Sequence, residues 1–156
     1  MLVVSDTSPV TSLLQVGRAD LLPALFGRVL IPPAVKVELL RFHPSLPDYL
    51  QVRAIQDQPA VESLSHDLDR GEAEAIILAE ECHADYLLMD EKHGRSVAEA
   101  RGLKIVGLLG VLVIAKKAGQ IPSVGRLIAE LESRAGFFVS DAVKEIVLTA
   151  AGEGKY

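Results

Sequence analysis

Hydrophobic and polar positions along the chain alternate between short apolar runs and longer stretches with helical periodicity. Short aliphatic runs predict buried strands, and apolar residues recurring every three or four positions predict amphipathic helices. Strands that alternate with helices favour a parallel sheet covered by helices on both faces. We therefore predict an α/β fold with strands at residues 2–5, 28–31, 86–89 and 104–106, and residues 52–55 as a candidate fifth strand.

Prolines and glycines mark the boundaries of the predicted helices, since proline favours a first helical turn and glycine a helix end. The weak pattern of residues 43–66, their three prolines and their scattered charges predict that this stretch is the variable or mobile part of the domain. The C-terminal part of the chain carries two further amphipathic stretches. The predicted helices span residues 9–16, 19–26, 32–42, 72–83, 94–101 and 108–118, followed by helices containing Val124, Leu127, Ile128 and Leu131 and then Val143, Ile146 and Val147.

Composition restricts the class of protein. The length of 156 residues suits a single domain, and a hydrophobic content of 49% indicates a folded core. A single cysteine, Cys82, cannot form an intrachain disulfide, and the longest apolar stretch, residues 106–115, is too short to span a bilayer. We expect a soluble cytoplasmic protein with no membrane partner. The net charge of −5 argues against nucleic-acid binding through a broadly basic surface, although carboxylates offset by a bound cation would permit a nuclease.

Two aspartates follow predicted strands. Asp6 follows the first strand and precedes Thr7, Ser8 and a proline, and Asp90 follows the strand at residues 86–89. Helix capping alone would explain an acidic or hydroxyl residue at such a position. Two carboxylates at the carboxyl edge of one sheet instead favour a ligand site, since this is the edge at which open α/β sheets bind ligands.

Glu38 interrupts an apolar stripe on the helix at residues 32–42. It lies one turn from Ala34, Val35 and Phe42, so those residues share its helix face. A buried carboxylate is costly unless it is paired or binds a metal. The alternative is that the helix buries the face of Val37 and Leu40 and leaves Glu38 solvated.

Two more glutamates open the apolar helix at residues 72–83. Asp69 and Glu72 have the spacing of a capping box, so Glu72 could serve only as a cap. Glu74 lies about 200° around the helix from Glu72, so the two side chains cannot easily reach one ion. Burial of a carboxylate in a helix this apolar is costly, so we expect at least one of the two glutamates to have a function. Oxygen ligands without a cysteine or histidine cluster suit Mg²⁺ or Mn²⁺, ions that assist phosphodiester hydrolysis.

The order of these features resembles that of the PIN-domain nucleases. The stretches VVSDTSPV, LIPPAVKVELL, DRGEAEAIILAEE and ADYLLMDEKHGR look most like the branch that includes VapC-like toxins. The resemblance covers roughly residues 1–118, and residues 119–156 look like the helical extension of one PIN-like subgroup. It implies a three-layer α/β/α fold with a parallel sheet of four to five strands, plus C-terminal helices.

The resemblance also implies roles for individual residues. Asp6, Glu38, Glu72 and Asp90 match the four family acids, which are catalytic and bind Mg²⁺ or Mn²⁺. Glu72 stands where aspartate is commoner in the family, so Glu74 remains an alternative third ligand. Glu91, which follows Asp90 directly, remains a further possible ligand beside it. A hydroxyl beside the metal matches Thr7 or Ser8, which also suit a helix cap. We expect Lys92, His93 and Arg95 to contact RNA phosphates.

The function implied is a metal-dependent endoribonuclease, with RNA as substrate, an antitoxin protein as a further partner if the chain is a toxin, and a homodimer as the assembly. The alternative is a catalytically weak or inactive PIN fold that serves as a binding module, which the acidic net charge and Glu72 favour slightly. A phosphatase of the haloacid dehalogenase type would need an aspartate two positions after Asp6, where Ser8 stands.

Overall fold

The computed structural model describes residues 1–154. The strands are β1 (Leu2–Ser5), β2 (Arg28–Ile31), β3 (Leu50–Val52), β4 (Tyr86–Leu88) and β5 (Ile105–Val106). They are parallel and form one sheet in the order β3-β2-β1-β4-β5. The predicted α/β class and the predicted parallel sheet are confirmed. In place of the candidate strand at residues 52–55, β3 begins two positions earlier and ends three positions earlier, and Leu50 contributes its buried side chain.

Nine helices lie within residues 1–154. One of them, at Gln58–Leu64 and capped by Asp57, lies in the region that we predicted to be variable or mobile. No periodic pattern marks this helix in the sequence, because Val61 is its one buried residue. The helices are α1 (Thr7–Gln15), α2 (Leu21–Phe26), α3 (Pro33–Phe42), α4 (Gln58–Leu64), α5 (Arg70–Glu81), α6 (Lys92–Ala100), α7 (Leu108–Lys117), α8 (Val124–Arg134) and α9 (Asp141–Ala150).

The core is divided by the sheet. Successive strand residues point to opposite faces, so Val3 and Leu88 belong to one hydrophobic cluster while Val4 and Leu87 belong to the other. The first cluster is completed by α1, α2, α3, α7 and α8, and the second by α4, α5 and α6. The chain therefore forms three layers, helix on sheet on helix.

The C-terminal helices differ in how they use their apolar stripes. The predicted stripe of α8 is buried in the core of the same chain, as Leu127 and Leu131 illustrate. In contrast, α9 buries none of its residues, and Ile146 is exposed. Within residues 1–154, no helix has the length and apolar character needed to cross a membrane.

The sheet order defines a point at which the connections reverse. Strands β1 and β4 are neighbours in the sheet, yet five helices and two strands lie between them in the sequence. In open α/β sheets, the crevice at such a reversal, outside the carboxyl ends of the strands, is the usual ligand site. The acidic residues after β1 and β4 lie at this crevice.

Candidate active site

Asp6 occupies the turn from β1 into α1. Its backbone N–H donates to the carbonyl of Leu88 at 2.9 Å, which fixes the ends of β1 and β4 side by side. Asp6 is the N-cap residue of α1, but its side chain makes no capping hydrogen bond. Capping therefore does not explain a carboxylate that is only 7% exposed.

The two hydroxyls after Asp6 contact other acids. Thr7 Oγ1 donates to Glu38 Oε2 at 2.6 Å, and Ser8 Oγ donates to Asp90 Oδ2 at 3.1 Å. The expectation that these hydroxyls cap α1 is wrong, because carboxylates from α3 and from the turn after β4 attract them instead. The first turn of α1 thus lies between Glu38 on one side and Asp90 on the other.

Glu38 approaches Asp6 across a glycine. Helix α3 buries Val35 and Leu39, whereas Val37 is exposed, so the alternative with a buried Val37 face is wrong. A Cβ atom placed on Gly71 would lie 2.7 Å from Glu38 Oε1 and 3.6 Å from Asp6 Oδ1. Glycine at the start of α5 therefore leaves the space in which these two carboxylates meet.

Glu72 and Glu74 point in different directions, as their spacing predicted. Both are only 6% exposed. Glu74 accepts hydrogen bonds from the backbone of Ala34 at 3.0 Å and from Arg70 Nε at 2.8 Å, so it ties α5 to α3. Glu72 forms the predicted capping box with Asp69, but its Oε2 is buried and has no hydrogen-bond partner among residues 1–154. Of the two, Glu72 has the oxygen that remains free for a ligand.

Asp90 and Glu91, although adjacent in the sequence, contact different helices. Asp90 Oδ1 accepts from the backbone N–H of Leu108 at 2.7 Å, at the first turn of α7. Glu91 caps α6 by accepting from the N–H of Gly94 at 2.6 Å. A Cβ on Gly94 would lie 2.6 Å from Glu72 Oε2, so this glycine, like Gly71, leaves room for an acid.

Burial and mutual repulsion perturb these acids. Burial raises the pKa of Asp6 to about 7, and the neighbouring carboxylates of Asp69, Glu38 and Asp90 act in the same direction. Burial also raises the pKa of Glu72 to about 8, with further contributions from Asp69, Glu91 and Asp6. The pKa of Asp90 is raised by burial as well. Such a cluster favours a cation, which would offset the repulsion between ionised carboxylates.

Sequence reasoning assigned Asp69 only to a cap, yet it also faces Asp6. The capping box is present, with Glu72 N–H donating to Asp69 Oδ1 at 2.8 Å. Among the charged groups that raise the pKa of Asp6, Asp69 acts most strongly. The available signal was Gly71, two positions after Asp69, because a glycine inside a first helical turn indicates a close approach by another group.

The predicted RNA-binding residues do not form one patch. Arg95 approaches Asp90 over Gly107, and its charge lowers the otherwise raised pKa of Asp90. Lys92 lines the same cleft beside Asp90 and Arg95. His93 instead pairs with Asp67, at 2.8 Å between Nε2 and Oδ2, and that contact raises its pKa.

The carboxylates match the donor chemistry of a hard divalent cation, and Glu72 Oε2 is a buried oxygen without a partner. As they stand, however, no three His, Cys, Asp or Glu side chains within residues 1–154 are close enough to hold a metal ion together. The carboxylates therefore suit a metal ion in their donor chemistry and in their common location at one edge of the sheet. Side-chain movement would be required to close them around an ion.

The chain was compared with known protein families, curated proteins and solved structures. A family model described as a PIN domain matches residues 2–153, which includes both C-terminal helices. No curated protein and no solved structure matches the chain.

Proposed function

Because this chain belongs to the PIN-domain family, which is a family of nucleases, we propose that it is a divalent-metal-dependent endoribonuclease. The observation that carries the proposal is the set of acids at the carboxyl ends of β1 and β4. Asp6 and Glu38 meet beside Gly71, and Asp90 is joined to the same helix turn through Ser8. Burial of so many carboxylates in one crevice is costly unless a cation is bound there.

Each acid has a proposed part. Asp6, Glu38 and Asp90 would hold Mg²⁺ or Mn²⁺, and Glu72 would add the oxygen that has no protein partner. When bound, the ion supplies activation of water and neutralisation of the charge that develops on the phosphate. Thr7 and Ser8 orient Glu38 and Asp90 through their hydroxyls. Glu74 takes no part, because Ala34 and Arg70 already occupy its oxygens.

Positive charge for the substrate comes from α6. Lys92 and Arg95 flank Asp90, where a phosphate next to the scissile bond would lie. His93 contributes less because Asp67 holds it. A negatively charged protein can bind RNA in this way, since the positive charge is needed only beside the site.

The toxin role, the antitoxin partner and the homodimer belong to this proposal as extensions. A second copy has two exposed apolar regions to use. One is the outer face of α3 with Val37, Leu40 and Phe42, and the other is α9 with Ile146. Light scattering across a dilution series from about 100 μM tests the dimer, and a monomeric mass at every concentration would exclude it.

A second candidate is a binding module without catalysis. It is favoured by the absence, within residues 1–154, of three metal-ligating side chains in direct reach of one ion. In that case the protein would bind RNA equally well with and without divalent metal. It would also release no cleavage products.

Cleavage of single-stranded RNA in Mn²⁺ or Mg²⁺ tests the proposal. We expect Asp6→Asn to reduce the rate at least about 10³-fold while the fold is retained, because loss of a ligand removes several kcal/mol of transition-state stabilisation. Asp48→Asn is the matched control, since Asp48 is an exposed aspartate outside the site. Undiminished cleavage by Asp6→Asn, or cleavage that chelation of the metal leaves unchanged, would refute it.

A further inference from the structure

A groove of about 770 Å³ begins at Asp90 and runs away from the acidic crevice. Its floor is the turn after β5 with Gly107, and its walls come from α7, from the segment before α9 and from α9 itself. The volume lies within the range of small-molecule sites, roughly 300–1,000 Å³. Because Asp90 lines the groove and also belongs to the acidic crevice, the groove is continuous with the proposed active site.

Charge is confined to one end of this groove. Among the lining residues that the structure describes, only Asp90 and Arg95 are charged, and both lie at the end next to the acidic crevice. The remaining lining is aliphatic, aromatic or glycine. Arg95 suits an anionic group at that end of a ligand, and the apolar lining suits a flat apolar surface at the other.

Two adjacent phenylalanines stand in the apolar part. Phe137 is half-buried against the core, whereas Phe138 is 85% exposed, although the whole chain contains only four phenylalanines. Packing within this chain does not explain Phe138. Proteins that bind single-stranded nucleic acid combine exposed aromatic rings, on which bases stack, with positive charge along the same groove. Phe138 and Arg95 line this groove together.

We propose that this groove holds an unpaired nucleobase of single-stranded RNA, stacked on Phe138, with the adjoining phosphate at Arg95. The proposal rests on the proposed function, since it places the base next to the bond that the acids would cleave. A second copy of the chain fits less well, because it would have to bury Asp90 and Arg95 together with the apolar lining, which is costly without new partners. A peptide segment from another protein would likewise have to bury Asp90 and Arg95 at the charged end of the groove. The groove should therefore bind single-stranded RNA in preference to a duplex, because a base inside a duplex has both faces covered by its neighbours.

Fluorescence anisotropy with a fluorescein-labelled single-stranded RNA of twelve uridines tests the groove directly. The variants are prepared in an Asp6→Asn background so that the RNA stays intact. Phe138→Ala should weaken binding about 5- to 150-fold, which corresponds to the 1–3 kcal/mol typical of one stacked base. Phe138→Tyr should bind within about threefold of the parent, because it keeps the ring. Phe42→Ala is the matched control, since Phe42 is a 70% exposed phenylalanine outside the groove.

A duplex RNA of the same length provides the second comparison. Its affinity should be the same for Phe138→Ala and the parent, since its bases are not available for stacking. Unchanged affinity of Phe138→Ala for the single strand would overturn the proposal. So would a loss of dimer mass by light scattering in Phe138→Ala without an RNA effect, which would assign the groove to a second copy.

Failure of the groove and failure of the nuclease assignment give different results. If the wild-type protein cleaves RNA and Phe138→Ala binds normally, the nucleobase groove is refuted and the nuclease stands. If Phe138→Ala loses affinity and the wild type never cleaves, the groove stands and the chain is an RNA-binding module.

Discussion

Two regions of this molecule hold carboxylates in opposite ways. At the carboxyl ends of β1 and β4, Asp6 and Glu72 are buried among other acids, and burial raises the pKa of each. Near the C-terminus, the Glu153 carboxylate accepts hydrogen bonds from Lys116 Nζ at 2.9 Å and from the backbone N–H groups of Val124 and Gly125. Burial acts to raise the pKa of Glu153, but these donors outweigh it and hold the pKa at about 2.

The difference separates a structural carboxylate from one whose position costs stability. Glu153 joins the C-terminal segment to the start of α8, and its partners satisfy it completely enough to keep it ionised. Asp6 and Glu72 lack such partners, so their ionised forms destabilise the fold unless a ligand compensates. Strongly perturbed acids of the second kind, placed in a crevice, indicate function.

Among changes that leave every acid in place, the largest effect should come from filling the space between Asp6 and Glu38. In Gly71→Ala the new methyl group would lie 2.7 Å from Glu38 Oε1, so the glutamate must move, which it can do as the end of a flexible side chain. We expect cleavage to fall about 10- to 100-fold, as for loss of other residues that orient metal ligands. Alanine also favours a helix over glycine by about 1 kcal/mol, so the fold should not weaken.

Gly125→Ala is the matched control, because Gly125 lies in α8 beside Glu153 rather than at the acids. Comparison of cleavage rates and of thermal unfolding for both variants separates geometry from stability. Wild-type activity in Gly71→Ala would show that Glu38 does not need its present position.

The pH dependence of stability should show both kinds of carboxylate. The folded-state pKa of Asp6, about 7, exceeds its ordinary value of 3.8, so the metal-free protein should lose stability as pH rises from about 4 to about 7. The folded-state pKa of Glu153, about 2, lies below its ordinary 4.5, so its contribution should be lost as pH falls from about 4.5 to about 2.

Denaturant unfolding in chelator at a series of pH values measures both slopes. Asp6→Asn should flatten the fall toward neutral pH. Glu153→Gln should lower the free energy of unfolding near pH 6 by about 1–3 kcal/mol, as for other charged hydrogen bonds, and flatten the acid side. Identical pH profiles for the two variants would remove the distinction between the regions.

A smaller effect should come from the positive charge at the crevice. Arg95→Ala should reduce the slope of log affinity against log salt for single-stranded RNA by about 1, because one phosphate contact is lost. Lys117→Ala, on α7 and exposed, is a control that should leave the slope unchanged. Equal slopes for Arg95→Ala and the parent would place the phosphates elsewhere.

Local sequence patterns predicted most of the acid region. The apolar runs before Asp6 and Asp90 located the strand ends, and a helical angle of about 200° correctly separated Glu72 from Glu74. The same reasoning could not place Glu153, since its partners lie 28 to 37 residues away in the sequence. It also failed for Thr7 and Ser8, where the attraction of distant carboxylates outweighed the local preference for capping. Local preferences are thus reliable where burial follows a period and unreliable where charges from separate elements converge.

Calorimetric titration of Mn²⁺ at pH 7.5 tests the central claim, that the acids after β1 and β4 form a divalent-metal site, most directly. Wild type and Glu153→Gln should bind Mn²⁺ with the same stoichiometry, and Asp6→Asn should lose at least about tenfold in affinity. Binding that Asp6→Asn leaves unchanged, or no binding by the wild-type protein, would contradict the claim.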